Sequence, residues 1–341
     1  MNLASGIVRT SAPVRLDFAG AWTDVAPFAT TERGVVINAA IDLRSHVALR
    51  LNQRRYELWA RDLDEKAEAG TLEQLARDGR LELLKAAIRF GNLAPCQLHT
   101  SAEAPPGSGL GTSGALGVAL VHAMDTALGT VRPAPATAEA AWRLETVGAA
   151  VAGGKQDQFA AAMGGFQHLV FDRGRTSARS LAVDQEFADV LAQHTLVCYT
   201  GRSRFSGDVI TRVMQAYIDG DTKVAGALRA LADVGEAMAA AFQRGDLSGI
   251  GHLLGANWAE QQQLDGGMCT VEMARLEVAM RDAGAVGGKA AGAGAGGSMF
   301  FVVPGDMSRA MGAAEKGGAT LIPVRWAARG VSLDQVAPGR G

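Results

Sequence analysis

The sequence predicts an α+β fold with two lobes, and three observations carry this prediction. Residues 6–60 show the alternating apolar and β-branched pattern of strands. Residues 205–283 have mainly helical spacing, with glycines between the segments. The chain has 341 residues, 48% of them hydrophobic, which is enough for two domains with sizeable cores. We expect the lobes to span residues 1–190 and 191–341.

The predicted elements follow in order along the chain. Val14, Leu16 and Phe18 alternate with polar residues in the first strand. Further strands are predicted at 35–37, 41–51, 97–101, 166–171, 194–200, 299–303 and 320–326, and helices at 71–90, 113–128, 138–152, 156–163 and 306–316. The first of these helices is expected to break near Gly79. The tail after Asp334 is expected to be loose.

Charge and cysteine usage exclude several classes of protein. The net charge is −2, so the chain has no basic excess to neutralise a nucleic-acid backbone. The three cysteines are widely spaced and form no zinc motif, which is typical of a reducing compartment. We see no signal peptide and no apolar segment long enough to cross a membrane. We therefore expect a soluble cytoplasmic protein without nucleic-acid or membrane partners. A homodimer is compatible with the sequence.

Glycine accounts for 43 residues, nearly twice the usual share of about 7%. The first cluster, PPGSGLGTSGA at 105–115, lies between a predicted strand and an apolar helix. Such a turn exposes backbone N–H groups at the positive end of the helix dipole, where phosphate binds. Thr112 and Ser113 add hydroxyls for phosphate or Mg²⁺. An ordinary loop before a buried helix is the alternative, and this cluster alone does not decide between them.

Other phosphate-binding motifs fit less well. Residues 109–114 match GxGxxG, but positions 129–134 hold no acidic residue of the kind that a dinucleotide-binding unit needs. No GxxxxGK[ST] occurs, because Gln156 and Ala290 follow the two Gly-Lys pairs. The HRD and DFG motifs of protein kinases are also absent.

The second glycine cluster is GGKAAGAGAGG at 287–297. It could be a flexible linker. However, it runs directly into the apolar strand at 299–303, which favours a segment packed beside another part of the chain. Its glycines would then allow close backbone approach.

Four segments together resemble the GHMP kinases. They are PVRLDFAGAWTD (13–24), the loop 105–115 in place of PxxxGLGSSA, Glu145 with KQDQ (155–158), and 287–297 in place of GAKxxGAGGGG. Within that superfamily, RLDFAGAWTDVAPF (15–28), VINAAIDL (36–43), GKQDQ (154–158), YTGRS (199–203) and GAVGGKAAGAGAGG (284–297) are most similar to D-glycero-D-manno-heptose 7-phosphate 1-kinases, with L-fucokinase-type sugar 1-kinases second. The chain departs from both at Ala21, where a second glycine is usual. Galactokinases carry Glu-His where this chain has Ala21 and Trp22.

The resemblance implies a fold and an activity. The fold would be that of a GHMP kinase, with an N-terminal lobe like ribosomal protein S5 domain 2 and a ferredoxin-like α+β C-terminal lobe. The activity would be ATP- and Mg²⁺-dependent phosphorylation of a sugar or sugar phosphate at the anomeric hydroxyl. Heptose 7-phosphate is the expected substrate, and L-fucose or another monosaccharide is the alternative. A catalytically silent sugar- and nucleotide-binding regulator, or an NAD-dependent enzyme that shares only the glycine loop, are the competing classes.

The resemblance also implies roles for individual residues. Asp157 would accept the proton of the sugar hydroxyl, and Arg15 would keep Asp157 ionised and stabilise developing charge. The expected nucleotide-binding residues are Pro106, Gly107, Ser108, Gly109, Leu110, Gly111, Thr112, Ser113 and Gly114, the expected Mg²⁺ ligands are Ser113 and Glu145, and the expected sugar-binding residues are Trp22, Thr23, Asp24, Lys155 and Gly294. Lys155, Arg202 and Arg204 are candidates for a phosphate on the substrate. Trp22 fits a core position equally well.

Overall fold

The strands of this computed structural model, which describes residues 6–201 and 206–337, form two sheets. The strands are β1 (Ile7–Ala19), β2 (Arg33–Arg50), β3 (Tyr56–Ala60), β4 (Glu65–Ala69), β5 (Gln97–Ala102), β6 (Phe166–Asp172), β7 (Arg175–Ser180), β8 (Thr195–Tyr199), β9 (Gly287–Ala290), β10 (Ser298–Val302), β11 (Thr320–Ile322) and β12 (Ser332–Ala337). The larger sheet has the order β12-β1-β2-β5-β3-β4, with β6 paired to β2 and β7 paired to β6. The smaller sheet has the order β11-β8-β10-β9.

The helices lie against these two sheets. They are α1 (Phe28–Thr31), α2 (Leu72–Leu75), α3 (Glu82–Phe90), α4 (Thr112–Leu128), α5 (Ala134–Arg143), α6 (Gln156–Met163), α7 (Gln185–Gln193), α8 (Ser206–Ile218), α9 (Thr222–Gln243), α10 (Leu247–Leu264), α11 (Val271–Asp282) and α12 (Met307–Lys316). A 3₁₀ turn follows α2, and a π-helical turn (Leu144–Gly148) follows α5. No helix in the described part of the chain is long and apolar enough to cross a membrane.

Strand β1 of the larger sheet contacts the smaller sheet. Helices α4 and α6 pack against it, and small buried residues such as Ala115 and Ala119 let α4 approach closely. Phe18 of β1 contacts Phe242 of α9 and Phe300 of β10, with ring centroids 5.0 and 5.3 Å apart. Two polar side chains of β1 lie at this junction: Arg15 contacts Asp157 of α6, and Asp17 contacts Lys289 of the smaller sheet.

Several element boundaries differ from the sequence prediction. A helix was expected at 138–152, but α5 begins earlier, at Ala134, because Pro135 is tolerated in the first turn of a helix. It also ends earlier, at Arg143, where the π-helical turn begins. Residues 335–337 of the expected loose tail form the end of β12, which pairs with β1 in the larger sheet, and the rest of that tail lies outside the described residues. This edge strand has no buried residue, so its sequence lacks the apolar alternation that predicts a strand. Ser11 Oγ of β1 donates to Asp334 Oδ1 of β12 over 3.1 Å. The division of the chain into lobes of residues 1–190 and 191–341 stays a proposal.

Candidate active site

The first glycine cluster forms a turn that opens α4 beside an open cavity. Gly107, Gly109 and Gly111 all have left-handed backbones, with φ of 67°, 76° and 80°. Leu110 between them is buried, and its carbonyl accepts a hydrogen bond from the Arg15 amide over 2.9 Å. This anchor leaves the flanking glycines and the first turn of α4 facing the cavity. The free N–H groups of a helix start are suited to bind phosphate.

The predicted nucleotide-binding residues divide into two groups. Those that line the cavity are Gly107, Ser108, Gly109, Gly111, Thr112 and Ser113. Pro106, Leu110 and Gly114 do not line it. The Pro106 carbonyl accepts from the Tyr199 hydroxyl over 3.2 Å, and a Cβ at Gly114 would lie 2.5 Å from Cβ of Asp157. These three residues shape the turn rather than face a ligand.

Arg15 and Asp157 form an ion pair at the wall of the cavity. Arg15 Nε lies 2.8 Å from Asp157 Oδ1, and Arg15 Nη1 donates to the carbonyls of Gly109 and Ala291 over 2.7 Å each. The Arg15 side chain is 5% exposed and that of Asp157 is 28% exposed. Arginine therefore fixes both glycine clusters and one carboxylate oxygen, while the carboxylate remains open to the cavity. Asp157 lies in the first turn of α6, where negative charge is favourable.

Ser113, Glu145 and Gln158 form a second polar group on the cavity. Ser113 Oγ donates to Glu145 Oε1 over 2.5 Å, and Gln158 Nε2 donates to Glu145 Oε2 over 2.6 Å. Burial raises the pKa of Glu145, and the Asp157 charge adds to this rise. The described residues contain no cluster of three or more His, Cys, Asp or Glu able to hold a metal. Ser113 and Glu145 are hard oxygen donors, and this pair fits Mg²⁺, which binds through one or two protein groups together with nucleotide phosphates.

Asp24 and Trp22 line the other side of the cavity. Asp24 Oδ2 accepts the Gln156 amide over 3.0 Å, and burial raises the pKa of Asp24 to about 6. Trp22 has φ of 80°, and its Nε1 lacks a hydrogen-bond partner among the described residues. Trp22 also belongs to the apolar cluster that contains Val25 and Phe28, as a core residue does, and its contact with a sugar stays a prediction.

Two predicted sugar-binding residues are placed elsewhere. Thr23 is fully buried away from the cavity: its hydroxyl donates to the Gly20 carbonyl over 2.7 Å and accepts the Val35 amide over 3.1 Å, so it fixes the turn. Lys155 Nζ contacts Glu139 Oε1 over 2.8 Å and lies over the Trp142 ring. These contacts turn Lys155 away from the cavity lining. The candidates Arg202 and Arg204 lie outside the described residues.

The second glycine cluster is packed and is not a linker. Gly292, Ala293, Gly294, Gly296 and Gly297 line the cavity next to the first cluster. A Cβ at Gly292 would lie 2.6 Å from the Gly109 carbonyl oxygen, and one at Gly297 would lie 2.9 Å from the Ser108 carbonyl oxygen. The two clusters therefore touch through their backbones, as only glycine allows. Gly294 has φ of 84° and packs on Met268.

Sequence reasoning missed the partner of Asp17. That partner is Lys289 of β9: Lys289 Nζ donates to the Asp17 carboxylate and, over 2.8 Å, to the Asp17 carbonyl. Both side chains are fully buried. The signal was a lysine inside an apolar, glycine-rich segment, since an uncompensated lysine is almost never buried.

The glycine turn, the arginine–aspartate pair and the serine–glutamate pair define a site for phosphoryl transfer by positioning and charge stabilisation. Comparison with known proteins supports this class. The N-terminal domain of GHMP kinases matches residues 79–165, and the C-terminal domain of GHMP kinases matches residues 238–318. The chain belongs to the GHMP kinase family and is an ATP-dependent kinase.

Individual relatives agree with this assignment. The chain is 30% identical to a D-glycero-alpha-D-manno-heptose 7-phosphate kinase of Campylobacter jejuni, over 87% of this chain and 89% of that protein. It is 25% identical to the L-fucokinase/L-fucose-1-P guanylyltransferase of Bacteroides fragilis, over 87% of this chain and 34% of that longer protein. A crystal structure described as a D-glycero-D-manno-heptose 1-phosphate kinase, from Bacteroides thetaiotaomicron, superposes with a TM-score of 0.78 at 27% identity, covering 95% of this chain and 97% of that one.

Proposed function

We propose that this protein transfers the γ-phosphoryl group of ATP to the anomeric hydroxyl of a sugar or sugar phosphate, and that the substrate is D-glycero-D-manno-heptose 7-phosphate. The observation that carries the proposal is the Arg15–Asp157 pair, held at the wall of a cavity between two touching glycine clusters. The names of the heptose phosphate kinase relatives support the choice of substrate.

In this proposal Asp157 prepares the attacking hydroxyl. Its Oδ1 accepts from Arg15, while no hydrogen bond to Oδ2 is found within the described residues. The free oxygen would accept the hydroxyl proton, so that the sugar oxygen attacks with more negative charge. Arg15 would hold the carboxylate in place and counter the charge that develops beside it.

The neighbouring groups would hold the two substrates. Backbone N–H groups of residues 107–113 would bind the nucleotide phosphates at the start of α4. Ser113 and Glu145 would hold Mg²⁺, which, when bound, neutralises phosphate charge during transfer. The carboxylate of Asp24 would accept hydrogen bonds from sugar hydroxyls, because an ionised carboxylate only accepts.

The test is ADP release with Mg-ATP across a panel of heptose 7-phosphate, L-fucose, galactose, glucuronate and mevalonate. We expect turnover with the heptose phosphate at the highest kcat/KM, and phosphorus NMR should show a phosphate on the anomeric oxygen. Preference for L-fucose would replace the substrate while keeping the reaction. No turnover with any member, despite ATP binding, would contradict the proposal and favour a silent regulator.

Two further predictions accompany this function. A cytoplasmic location fits the need for ATP and is tested by cell fractionation. A homodimer is tested by light scattering on a sizing column, where a single monomer peak would contradict it.

A further inference from the structure

Helix α10 carries two buried amide side chains, Asn257 and Gln261. They are four residues apart, so they lie on the same face of the helix, and each is fully buried. Helix α10 packs against β9 and contacts β1.

Asn257 holds the turn that follows β1. Its Oδ1 accepts the Gly20 amide over 2.8 Å. Gly20 has φ of 83°, and a Cβ there would lie 1.7 Å from the Val35 carbonyl oxygen, so the turn is tightly confined. The same turn carries Trp22 and Asp24 into the cavity. Asn257 therefore fixes the wall assigned to the sugar.

Gln261 holds the second glycine cluster. Its Nε2 donates to the Gly292 carbonyl over 2.9 Å. Gly292 lies on the cavity wall and is in close backbone contact with Gly109 of the first cluster. Gln261 therefore fixes the second cluster against the turn at 107–113, whose N–H groups bind the nucleotide phosphates in the proposed function.

Both amides are held at a cost. Asn257 Nδ2 and Gln261 Oε1 are buried without a hydrogen-bond partner among the described residues. A leucine or methionine would fill similar volume without burying an unpaired polar atom. Unlike leucine or methionine, the two amides make hydrogen bonds to the backbone of Gly20 and Gly292.

We propose that Asn257 and Gln261 are positioning residues with separate roles, Asn257 for the sugar and Gln261 for the nucleotide. The inference rests on the proposed function. It predicts that Asn257→Leu raises KM for the sugar about tenfold while the Kd for ADP is unchanged. It predicts that Gln261→Met raises the Kd for ADP about tenfold while KM for the sugar is unchanged, since either change leaves a backbone group unpaired.

The experiment measures sugar KM by ADP release and the Kd for ADP by calorimetry in wild type and variants. Gln263→Met is the matched control, because Gln263 is exposed on the same helix, and it should leave both constants unchanged. Asn257→Asp keeps an acceptor for the Gly20 amide and should keep sugar KM closer to wild type than Asn257→Leu does. Should Asn257→Leu fail to fold, Asn257→Ala takes its place.

Constants that match the Gln263→Met control would overturn the inference. So would a rise of both constants together in each variant, which would show a general loss of structure. The proposed function fails separately, when the wild type turns over no sugar. The Kd for ADP still tests the role of Gln261 in that case, because calorimetry needs no turnover.

Discussion

Two ion pairs stand two residues apart on strand β1, and they differ in exposure. In the Arg15–Asp157 pair the carboxylate is 28% exposed and faces the cavity. In the Asp17–Lys289 pair both side chains are fully buried. Buried partners can only neutralise each other, whereas an open carboxylate can meet a substrate. We call Arg15–Asp157 the open pair, which is suited to chemistry, and Asp17–Lys289 the sealed pair, which is suited to holding β9 on β1.

The largest expected effect is on the sealed pair. Lys289→Met leaves Asp17 buried without its partner and should lower the free energy of unfolding by about 3–5 kcal/mol. Burial already lowers the pKa of Lys289, and the Asp17 charge opposes this. Urea unfolding followed by circular dichroism measures the change. Lys223→Met, on the surface of α9, is the control.

The double variant Asp17→Asn/Lys289→Met removes both charges and should recover most of the lost stability, because no unpaired charge remains. A single Lys289→Met variant as stable as the control would remove the distinction between the two pairs.

The next effect concerns the open pair. Arg15→Lys cannot keep contacts to Asp157, Gly109 and Ala291 together, because an ammonium lacks the planar fork of the guanidinium. We expect kcat to fall about 10²–10³-fold, the usual loss when one charge-stabilising donor is removed. Steady-state kinetics measure it, and a fall of less than about fivefold would contradict the role of Arg15.

A smaller effect is expected in the second glycine cluster. Gly294→Val places a branched side chain at φ of 84°, where Cβ would lie 2.7 Å from Met268 Sδ. The strain should be about 1–3 kcal/mol and should weaken the binding of ADP or of the sugar, measured by calorimetry for ADP and as KM for the sugar. Gly312→Val is the control, because a Cβ at Gly312 meets nothing within 4 Å. Equal behaviour of the two variants would mean that the cluster tolerates side chains.

The smallest effect is a pH dependence from Asp24. Its pKa is raised to about 6, mainly by burial, so the folded protein binds this proton more tightly than the unfolded chain. The Asp24 contribution to stability therefore falls as pH rises from about 4 to about 6 and is constant above. Sugar binding should show the opposite trend, because protonation below about pH 6 removes an acceptor.

We expect KM for the sugar to rise as the pH falls through about 6, which gives an acid limb in the plot of KM against pH. The Asp24→Asn variant should lack this acid limb and should have a higher KM at every pH. A limb that persists in Asp24→Asn would contradict its assignment to Asp24.

Sequence predicted most of the elements and the pieces of the site, and the failures have physical causes. Helix α6 was predicted with its observed bounds, because its apolar spacing and flanking glycines are local signals. The turn of Gly107, Gly109 and Gly111 was likewise local. Lys155 was misplaced because its partners Glu139 and Thr176 come from other elements. The partnership of Asp17 with Lys289 spans 272 residues and depends on the packing of two sheets. No local pattern encodes it.

The central claim is that the open pair performs chemistry and the sealed pair maintains the fold. The most direct test measures kcat and the unfolding free energy for Asp157→Asn and Asp17→Asn side by side. Asp157→Asn should lose about 10²–10⁴-fold in kcat, the range for a catalytic base, with ADP binding and stability kept. Asp17→Asn should lose stability, while its folded fraction keeps most of the wild-type kcat. Near-normal turnover by Asp157→Asn would contradict the account.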